Sequence, residues 1–386
     1  MNRMIEIREA NSKQDKKTFM MIPFDIYKGS PYWVSPLLLD LRHMFGINTA
    51  FDALLGAKGK HPFYEYGIMQ LYIAYRDGKI VGRIAAIQND RYNEVHPDEG
   101  GTGFFGFFEC IHDQEVANAL FDTAKKWLKA KGLTKMQGPA SPSSSYDFGL
   151  LTEGFDDMPR VDMPYQHPYY KEMYEAYGLP CRQELLAYKM DANTIFNNDK
   201  LKRGANLVKR RYKVEVKPLD MKNLYDEVKK IKEIYNKAWQ QLWGIVPLSD
   251  AEIDAYAEKF KMIAIPELIP FIYVDGKLAG MAVAVLDFNF ILKELNGRLF
   301  PKGFKIFTDK KKVKWMRVIL LGLLPEYHGK GIDAVVYLHL VEEALKLGFE
   351  YCEGSYILKE NEAMNRGMRA VSAVPYKEYK VYEMDI

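Results

Sequence analysis

The chain has 386 residues, of which 48% are hydrophobic and 13% aromatic, and this is enough to form the cores of two or three globular domains. Its 54 Lys and Arg residues and 51 Asp and Glu residues give a formal net charge of +3. This balance excludes a strongly basic nucleic-acid-binding composition and an acidic disordered one. Cys110, Cys181 and Cys352 form no CxxC pair, so the sequence predicts neither a disulfide framework nor a thiolate zinc site.

No segment carries the signal of a membrane span, because no stretch reaches roughly 18 consecutive apolar residues. The seven histidines show no HExxH motif or paired ligand spacing, which predicts no metal site. We therefore expect a soluble cytoplasmic protein with no membrane partner.

In the first half, short apolar segments precede one long amphipathic helix. A strand is predicted over Ile5–Arg8 and a helix over Ser12–Tyr27. Residues 71–89, LYIAYRDGKIVGRIAAIQN, are two apolar runs joined by Asp-Gly, which is typical of a β-hairpin. The predicted elements that follow are a strand (103–111), an amphipathic helix (113–131) and a short strand (133–137).

The second half repeats this order. Residues 271–289, FIYVDGKLAGMAVAVLDFN, share Asp-Gly-Lys and a later Gly with the first hairpin. The predicted elements that follow are a strand (313–324), a helix (332–347) and a strand (349–358). The repeat predicts a duplicated α/β unit, with two lobes that are each a mixed sheet flanked by helices.

A polar and basic stretch, residues 193–217, separates the halves. It is either a solvated helix and connector or an anion-binding patch, and the sequence leaves both open. Helical patterns resume over 221–239 and 249–260. Ser249 followed by Glu252 is a capping-box pattern at the start of the second of these helices.

A candidate anion-binding loop lies between the third predicted strand and the helix of the second half, where residues 323–333 read LLPEYHGKGID. Glycines at 329 and 331 let the backbone approach an anion, and the unpaired N–H groups of the helix's first turn attract negative charge. Lys330 adds positive charge. An ordinary strand-to-helix turn uses the same glycines, so the loop alone does not distinguish these alternatives.

The second half resembles the GNAT superfamily of N-acetyltransferases, in which a Gln/Arg-x-x-Gly-x-Gly/Ala loop binds the pyrophosphate of acyl-CoA. Gly331 matches the first required glycine, His328 stands in place of Gln or Arg, and Asp333 replaces the final Gly or Ala. A carboxylate at that position repels pyrophosphate unless it is paired or points away. The resemblance covers most of the chain from about residue 60 onward.

The resemblance implies that acetyl-CoA or another acyl-CoA is a substrate. The residues it assigns to acyl-CoA binding are Leu323, Leu324, His328, Gly329, Lys330, Gly331, Ile332 and the pantetheine-contacting Asn361. The family's Tyr, an acid for the leaving thiolate, falls at Met368 here. Tyr376, Tyr379 and Tyr382 lie further on, and Tyr379 is our candidate for the acid, with the other two left open.

The first half resembles the same unit without its phosphate loop, because the acidic stretch ECIHDQE, which begins at Glu109, stands where the glycines belong. The whole chain resembles tandem acyltransferases in which one lobe binds acyl-CoA and the other shapes an acceptor pocket between the lobes. We expect a degenerate GNAT-like lobe over 1–192, a basic connector over 193–217 and a GNAT-like acyl-CoA lobe over 218–386.

Acyl transfer from a thioester to an amine needs a base, a donor for the oxyanion and an acid for the thiolate. The expected oxyanion donor is an amide near Leu323 or Leu324, where the family's strands separate. Glu353 and Glu109 are the candidate bases, and each would need a raised pKa. A structural carboxylate is the alternative for both.

The sequence therefore predicts an acyl-CoA-dependent N-acyltransferase that acts on the amine of a small molecule or peptide. Two alternatives stay open: a non-catalytic acyl-CoA or ligand sensor, and a tRNA-dependent aminoacyl transferase of similar two-lobed fold. A third alternative is a regulator that binds nucleic acid through residues 200–217. The near-neutral net charge argues against nucleic acid as a partner.

Overall fold

The computed structural model describes residues 4–239 and 242–386. Its strands are β1 (Ile5–Glu9), β2 (Gly67–Arg76), β3 (Lys79–Asn89), β4 (Thr102–Cys110), β5 (Lys135–Gly138), β6 (Ala140–Ser141), β7 (Asp147–Phe148), β8 (Leu150–Glu153), β9 (Cys181–Asp191), β10 (Val214–Pro218), β11 (Pro270–Val274), β12 (Lys277–Leu286), β13 (Trp315–Leu323), β14 (Tyr351–Leu358) and β15 (Val374–Asp385). Its α-helices are α1 (Lys13–Ile26), α2 (Leu38–Met44), α3 (Ala50–Leu54), α4 (Asp90–Val95), α5 (Gln114–Ala130), α6 (Tyr169–Ala176), α7 (Ala192–Phe196), α8 (Asp199–Arg211), α9 (Leu224–Ala238), α10 (Asp250–Ile263), α11 (Asn289–Leu295), α12 (Lys305–Thr308), α13 (Ile332–Leu347) and α14 (Glu362–Ala370).

The chain divides into two compact units. Unit 1 comprises Met1–Glu184, Ile291–Phe304 and Glu378–Ile386, and unit 2 comprises Leu185–Phe290 and Lys305–Lys377. The prediction assigned residues 291–304 and 378–386 to its second lobe, 218–386, whereas the structure groups them with unit 1. The stretch predicted as a connector over 193–217 forms α8 and parts of α7 and β10, all within unit 2.

Both units contain the predicted order of hairpin, strand, helix and strand. In unit 1, β2 pairs antiparallel with β3, β3 antiparallel with β4, and β4 parallel with β5. In unit 2, β11, β12, β13 and β14 pair in the same pattern. The helices α5 and α13 connect the parallel strands, which a tight turn cannot join. The predicted duplication and the α/β fold class are confirmed.

The two Asp-Gly turns have the same backbone. Asp77 and Gly78 have φ of 51° and 74°, and Asp275 and Gly276 have φ of 49° and 77°. Two successive positive φ angles define the type I′ turn, whose twist matches that of the flanking strands. This local rule is the reason that the sequence alone located both hairpins.

The core of each unit lies between its sheet and its helices. In unit 1, α5 buries residues at three- and four-residue spacing, among them Val116, Leu120 and Phe121, against Phe105 and Phe108 of β4. In unit 2, α9 and α10 bury Val228, Ile231, Ile234 and Ile253 against residues of β11 and β12 that include Phe271 and Met281.

The predicted start of α10 carries its capping box. The Ser249 N–H donates to Oε2 of Glu252 (2.9 Å), and the Glu252 N–H donates to Oγ of Ser249 (3.1 Å). Among the described helices, none is both long and apolar enough to cross a membrane.

Candidate functional site

The loop between β13 and α13 has the backbone of an anion-binding site. After a single 3-10 turn over Pro325–Tyr327, Gly329 and Gly331 have φ of 71° and 74°, in the left-handed region that favours glycine. Gly331 is the N-cap of α13 and has no side chain to bond the first-turn N–H groups. Such a helix start attracts negative charge.

Helix α8 lies beside this loop at Gly331. A Cβ built on Gly331 would lie 3.4 Å from Cγ2 of Val208 in α8, whereas a Cβ on Gly329 would meet no atom within 4 Å. The exposed side chains that follow Val208 are Lys209, Arg210 and Arg211. The loop thus has open space at Gly329, and the α8 residue beside Gly331 is followed in the sequence by three exposed cations.

Leu323 and Leu324, predicted together as the source of the oxyanion amide, have different environments. The Leu324 N–H donates to the Ala279 carbonyl in the neighbouring strand (2.8 Å), so this amide is engaged. Amides alternate sides along an antiparallel strand, so the Leu323 N–H faces the opposite edge of β13. Nε2 of His328 lies 2.9 Å from the Leu323 carbonyl at that edge. Leu324 is therefore excluded as the donor in this conformation.

Strands β13 and β14 separate beside Leu323. They pair in parallel only from Trp315 to Val318, while β13 continues along β12 to Leu323. An apolar cavity of about 90 Å³ lies at the separation, between both strands, α13 and α14. The side chains that line it include Ile319, Leu321, Tyr337, Leu340, Met364 and Met368.

Asp333, which departs from the family's loop pattern, lies half-buried in the first turn of α13. It shares a helix face with Tyr337, four residues further on. Burial raises the pKa of Tyr337, and the nearby Asp333 carboxylate raises it further. A carboxylate in the first turn also stabilises the helix dipole. Asp333 thus has a role within α13 itself.

Two further predicted positions lie on α14. Asn361 is its N-cap, and its Oδ1 accepts a hydrogen bond from the Met364 N–H (3.1 Å). Met368, where the family has its Tyr, is buried in the cavity wall. The Tyr337 hydroxyl donates to Sδ of Met364 (3.6 Å) in the same wall. Sequence reasoning missed Tyr337, although its spacing on α13 places it on the face shared with Asp333.

Glu353 is fully buried in β14 and lies in a network of hydrogen bonds. Oγ of Ser355 donates to its Oε1 (2.6 Å), and the Tyr376 hydroxyl donates to its Oε2. Nε of the buried Arg317 lies 3.7 Å from Oε1. The cation and the two hydroxyls satisfy the oxygens of this buried carboxylate. Because the neighbouring residue Gly354 lines the cavity, alternation places Glu353 on the opposite face of β14.

Glu109, in unit 1, belongs to a comparable buried cluster. The Tyr170 hydroxyl donates to its Oε2 (2.8 Å), and Nη2 of Arg83 lies 3.6 Å from its Oε1. Burial raises the pKa of Glu109, and the Arg83 charge opposes that shift. Arg83 also donates to the Phe19 carbonyl (2.8 Å). Ser355 is a strand neighbour of Glu353 that alternation places on the same side. The other partners of the two carboxylates are distant in the sequence, and no spacing indicated them; they are Arg317, Tyr376, Arg83 and Tyr170.

The three C-terminal tyrosines fall in different units. Tyr376 belongs to unit 2, whereas Tyr379 and Tyr382 belong to unit 1. Tyr379 is fully buried and pairs with Leu151 of β8. Its assignment as the acid stays a prediction. Among the described residues, no group of three or more His, Cys, Asp or Glu side chains is arranged to hold a metal ion.

The fold is that of tandem GNAT proteins. The chain resembles the tandem GNAT protein from the clavulanic acid biosynthesis pathway with a TM-score of 0.56 and 12% identity, over 99% of this chain and 98% of that one. At this identity the likeness concerns the fold alone. No protein-family model matches the chain. The resemblance to the GNAT superfamily drawn from the sequence is confirmed.

Two bacterial proteins are closer in sequence. The chain is 31% identical to protein YghO of Escherichia coli (strain K12), over 98% of this chain and 95% of that protein. It is also 31% identical to the bacterial ceramide synthase of Caulobacter vibrioides, over 99% of this chain and 98% of that protein. The chain therefore belongs to the family of these two proteins, a bacterial branch with the tandem GNAT fold.

Proposed function

We propose that the protein transfers a fatty acyl group from an acyl-CoA to the amino group of a long-chain lipid base. The observation that carries this proposal is the open glycine loop at the start of α13, beside an apolar cavity. A ceramide is an amide between a fatty acid and the amine of a long-chain base. The relative named bacterial ceramide synthase therefore supports this class of acceptor.

The acyl-CoA site lies within unit 2. The pyrophosphate binds the N–H groups at Gly331 and Ile332, and the cations of α8 next to Val208 neutralise its charge. The thioester arm enters the separation between β13 and β14. The aliphatic and methionine walls of the cavity there suit the first methylene groups of an acyl chain, and at about 90 Å³ the cavity leaves the rest of a long chain outside it.

The amine nitrogen attacks the thioester carbonyl carbon, the carbonyl oxygen becomes an oxyanion, and the C–S bond then breaks to release CoA thiolate. The Leu323 N–H, on the open edge of β13, stabilises the oxyanion. The amine's proton goes to a base, for which Glu353 stays our candidate. Glu353 pairs with Arg317 of β13, six residues before Leu323, and its buried carboxylate faces away from the cavity, so the proton has to travel through water and the Tyr376 hydroxyl to reach it. Glu109 remains the second candidate base.

The thiolate needs a proton, and the Tyr337 hydroxyl lines the cavity where the thiolate leaves. A Cβ on Gly367, next to Met368, would lie 3.1 Å from this hydroxyl. Tyr337 thus stands close to the position at which the family has its acidic Tyr. We assign it the role of acid in place of Tyr379.

The test compares Gly329→Asp with Gly329→Asn by calorimetric titration with CoA and palmitoyl-CoA. Asn and Asp both tolerate the left-handed backbone, so the pair differs in one negative charge at the expected pyrophosphate. We expect micromolar binding in the wild type and about tenfold or more weaker binding in the Asp variant than in the Asn variant.

Transfer is measured by mass spectrometry of the amide formed from palmitoyl-CoA and sphinganine. Formation of the amide supports the proposal. Binding of acyl-CoA without any amide product would favour the sensor instead. Failure of the wild type to bind CoA would overturn the acyl-CoA site and favour the tRNA-dependent transferase.

A further inference from the structure

The segment that joins α11 to β13, residues 298–314, exposes large aromatic side chains. Phe300 is 84% exposed, Phe304 60% and Phe307 64%. Phenylalanine is normally among the most buried residues, and grouped exposed aromatics mark a binding surface. We call residues 298–314 the basic aromatic segment.

This segment is also strongly cationic. Its only carboxylate is Asp309, against seven Lys and Arg residues, so its formal charge is 7 − 1 = +6 in a chain whose net charge is +3. The cations are Arg298, Lys302, Lys305, Lys310, Lys311, Lys312 and Lys314. Asp309 pairs with Lys312 (3.1 Å), and Nζ of Lys310 lies 5.6 Å from the centre of the Phe307 ring.

Hydrogen bonds within unit 1 hold the residues that immediately precede the basic aromatic segment. The Leu38 N–H donates to the Gly297 carbonyl (2.9 Å), and Nζ of Lys293 donates to the Trp33 carbonyl (2.9 Å). The boundary between the units falls after Phe304. The part on each side of that boundary contains both exposed phenylalanine and cations, so the inference holds for each part by itself.

We propose that the basic aromatic segment attaches the protein to the surface of an anionic phospholipid bilayer. The phenylalanine rings enter the interface between headgroups and acyl chains, and the Lys and Arg groups pair with lipid phosphates. A second copy of the chain is disfavoured as the occupant, because it would bring another +6 charge to the same surface. This attachment is peripheral and requires no spanning helix.

The first experiment is sedimentation of the full chain with vesicles of phosphatidylcholine alone, or with about a third phosphatidylglycerol. We expect binding roughly tenfold or more tighter to the anionic vesicles, and a loss of that preference when salt is raised to about 0.5 M. Absence of binding to anionic vesicles would overturn the proposal. The assay contains no acyl-CoA, so its failure would leave the proposed function untouched.

Two variants separate the apolar from the electrostatic contribution. The first combines Phe300→Ser, Phe304→Ser and Phe307→Ser, and the second combines Arg298→Glu, Lys302→Glu and Lys311→Glu. Each is expected to weaken binding to anionic vesicles about tenfold or more. All six side chains are exposed, so circular dichroism and the melting temperature should remain those of the wild type.

Matched controls alter the surface elsewhere. Tyr225→Ser with Val374→Ser removes side chains that are 57% and 61% exposed, and Lys126→Glu with Lys129→Glu and Lys131→Glu makes the same change in net charge as the cation variant. We expect the apolar control to bind vesicles as the wild type does and the charge control to lose less than the cation variant. Equal losses in controls and test variants would overturn the assignment to this segment. A wild-type dimer that only the phenylalanine variant dissociates, without vesicle binding, would overturn it in favour of self-association.

Discussion

The two units can be compared at one equivalent backbone position, the end of β4 in unit 1 and the end of β13 in unit 2. Cys110 and Leu323 are equivalent, because each pairs with the glycine five residues after the Asp of its hairpin turn. In both units the next residue, Ile111 or Leu324, donates its N–H to the neighbouring strand, at 3.0 and 2.8 Å. The backbone of the duplicated unit is therefore preserved up to the loop.

The side chains around this position differ. In unit 1 the Cys110 N–H donates to the Tyr170 hydroxyl (2.9 Å), and the Tyr169 hydroxyl donates to the Cys110 carbonyl (2.8 Å). In unit 2 the Leu323 amide faces the open separation of the strands. Tyrosines of α6 thus occupy in unit 1 the position that unit 2 leaves open, where we propose that the thioester binds.

The N-termini of α5 and α13 also differ, in that the position at the helix start is occupied in unit 1 and open in unit 2. Asp113 caps α5 by accepting from the Val116 N–H (3.2 Å) and forms an ion pair with Arg76. Gly331 stands at the corresponding position of α13. A built-in carboxylate occupies the anion position of unit 1, and this explains why only unit 2 is expected to bind CoA.

The largest expected effect is on the rate of acyl transfer, and it distinguishes the two buried carboxylates, Glu353 and Glu109, as candidate bases. Glu353→Gln keeps the size of the side chain but cannot take a proton, so kcat should fall about 10²- to 10⁴-fold in the palmitoyl transfer assay. The Kd for acyl-CoA should stay close to that of the wild type. Glu109→Gln is the matched control, and we expect it to leave kcat nearly unchanged. A large loss with Glu109→Gln and none with Glu353→Gln would exchange their roles.

Tyr170→Phe tests the hydrogen bonds by which α6 occupies the end of β4 in unit 1. It removes the hydroxyl that bridges the Cys110 N–H and the Glu109 carboxylate, both buried, and should cost about 2–3 kcal/mol in urea unfolding. Tyr177→Phe is the control, because its hydroxyl bonds the exposed Asp122 and should cost less than about 1 kcal/mol. Equal costs would mean that the bridge contributes little to unit 1. Acyl-CoA affinity should be unchanged in both variants.

Unit 1 also contains an ion pair, Arg42–Asp52, whose contribution to stability should depend on pH. The Arg42 guanidinium and the Thr49 cap lower the pKa of the buried Asp52 to about 2. A carboxylate whose pKa is lowered by folding stabilises the folded state. This stabilisation is complete when the pH is well above the pKa of the unfolded state, near 4, and it is lost as the pH falls toward 2. Asp52→Asn should therefore cost about 2 kcal/mol at pH 5 and clearly less at pH 3. A pH-independent difference in urea unfolding would refute this linkage.

The smallest effect tests the helix caps. Asp113→Ala removes the cap of α5 and the partner of Arg76, and should lower stability by about 1 kcal/mol. It should not create a second acyl-CoA site, because Tyr169 and Tyr170 still engage Cys110. A calorimetric stoichiometry of two acyl-CoA per chain would contradict this.

Much of the fold was predictable because its signals are local. The Asp-Gly turns, the spacing of apolar residues on α5 and the Ser249–Glu252 capping box each act within a few residues, and the structure has all three. The loop at Gly329 and Gly331 was also visible, since glycine is the residue that a left-handed backbone favours. Its use for acyl-CoA remains a proposal.

The candidate site was only partly predictable. Glu353 was chosen by its place on a strand, but Arg317 and Tyr376 beside it lie 36 residues before and 23 residues after it in the sequence. The separation of β13 from β14, which distinguishes the Leu323 amide from that of Leu324, depends on strand pairing. No residue pattern within the loop encodes that difference.

The duplicated α/β unit, its two hairpins and the glycine loop before α13 could all be predicted from residue patterns, since each follows from backbone preferences and apolar spacing within a short segment. The return of residues 291–304 and 378–386 to unit 1, and the hydrogen bonds of Tyr169 and Tyr170 to the Cys110 backbone, depend on tertiary contacts. The same is true of the pairing of Arg317 and Tyr376 with Glu353 and of Arg83 and Tyr170 with Glu109. These contacts join residues far apart in the chain, and they form only when burial forces polar groups to find partners within the folded protein.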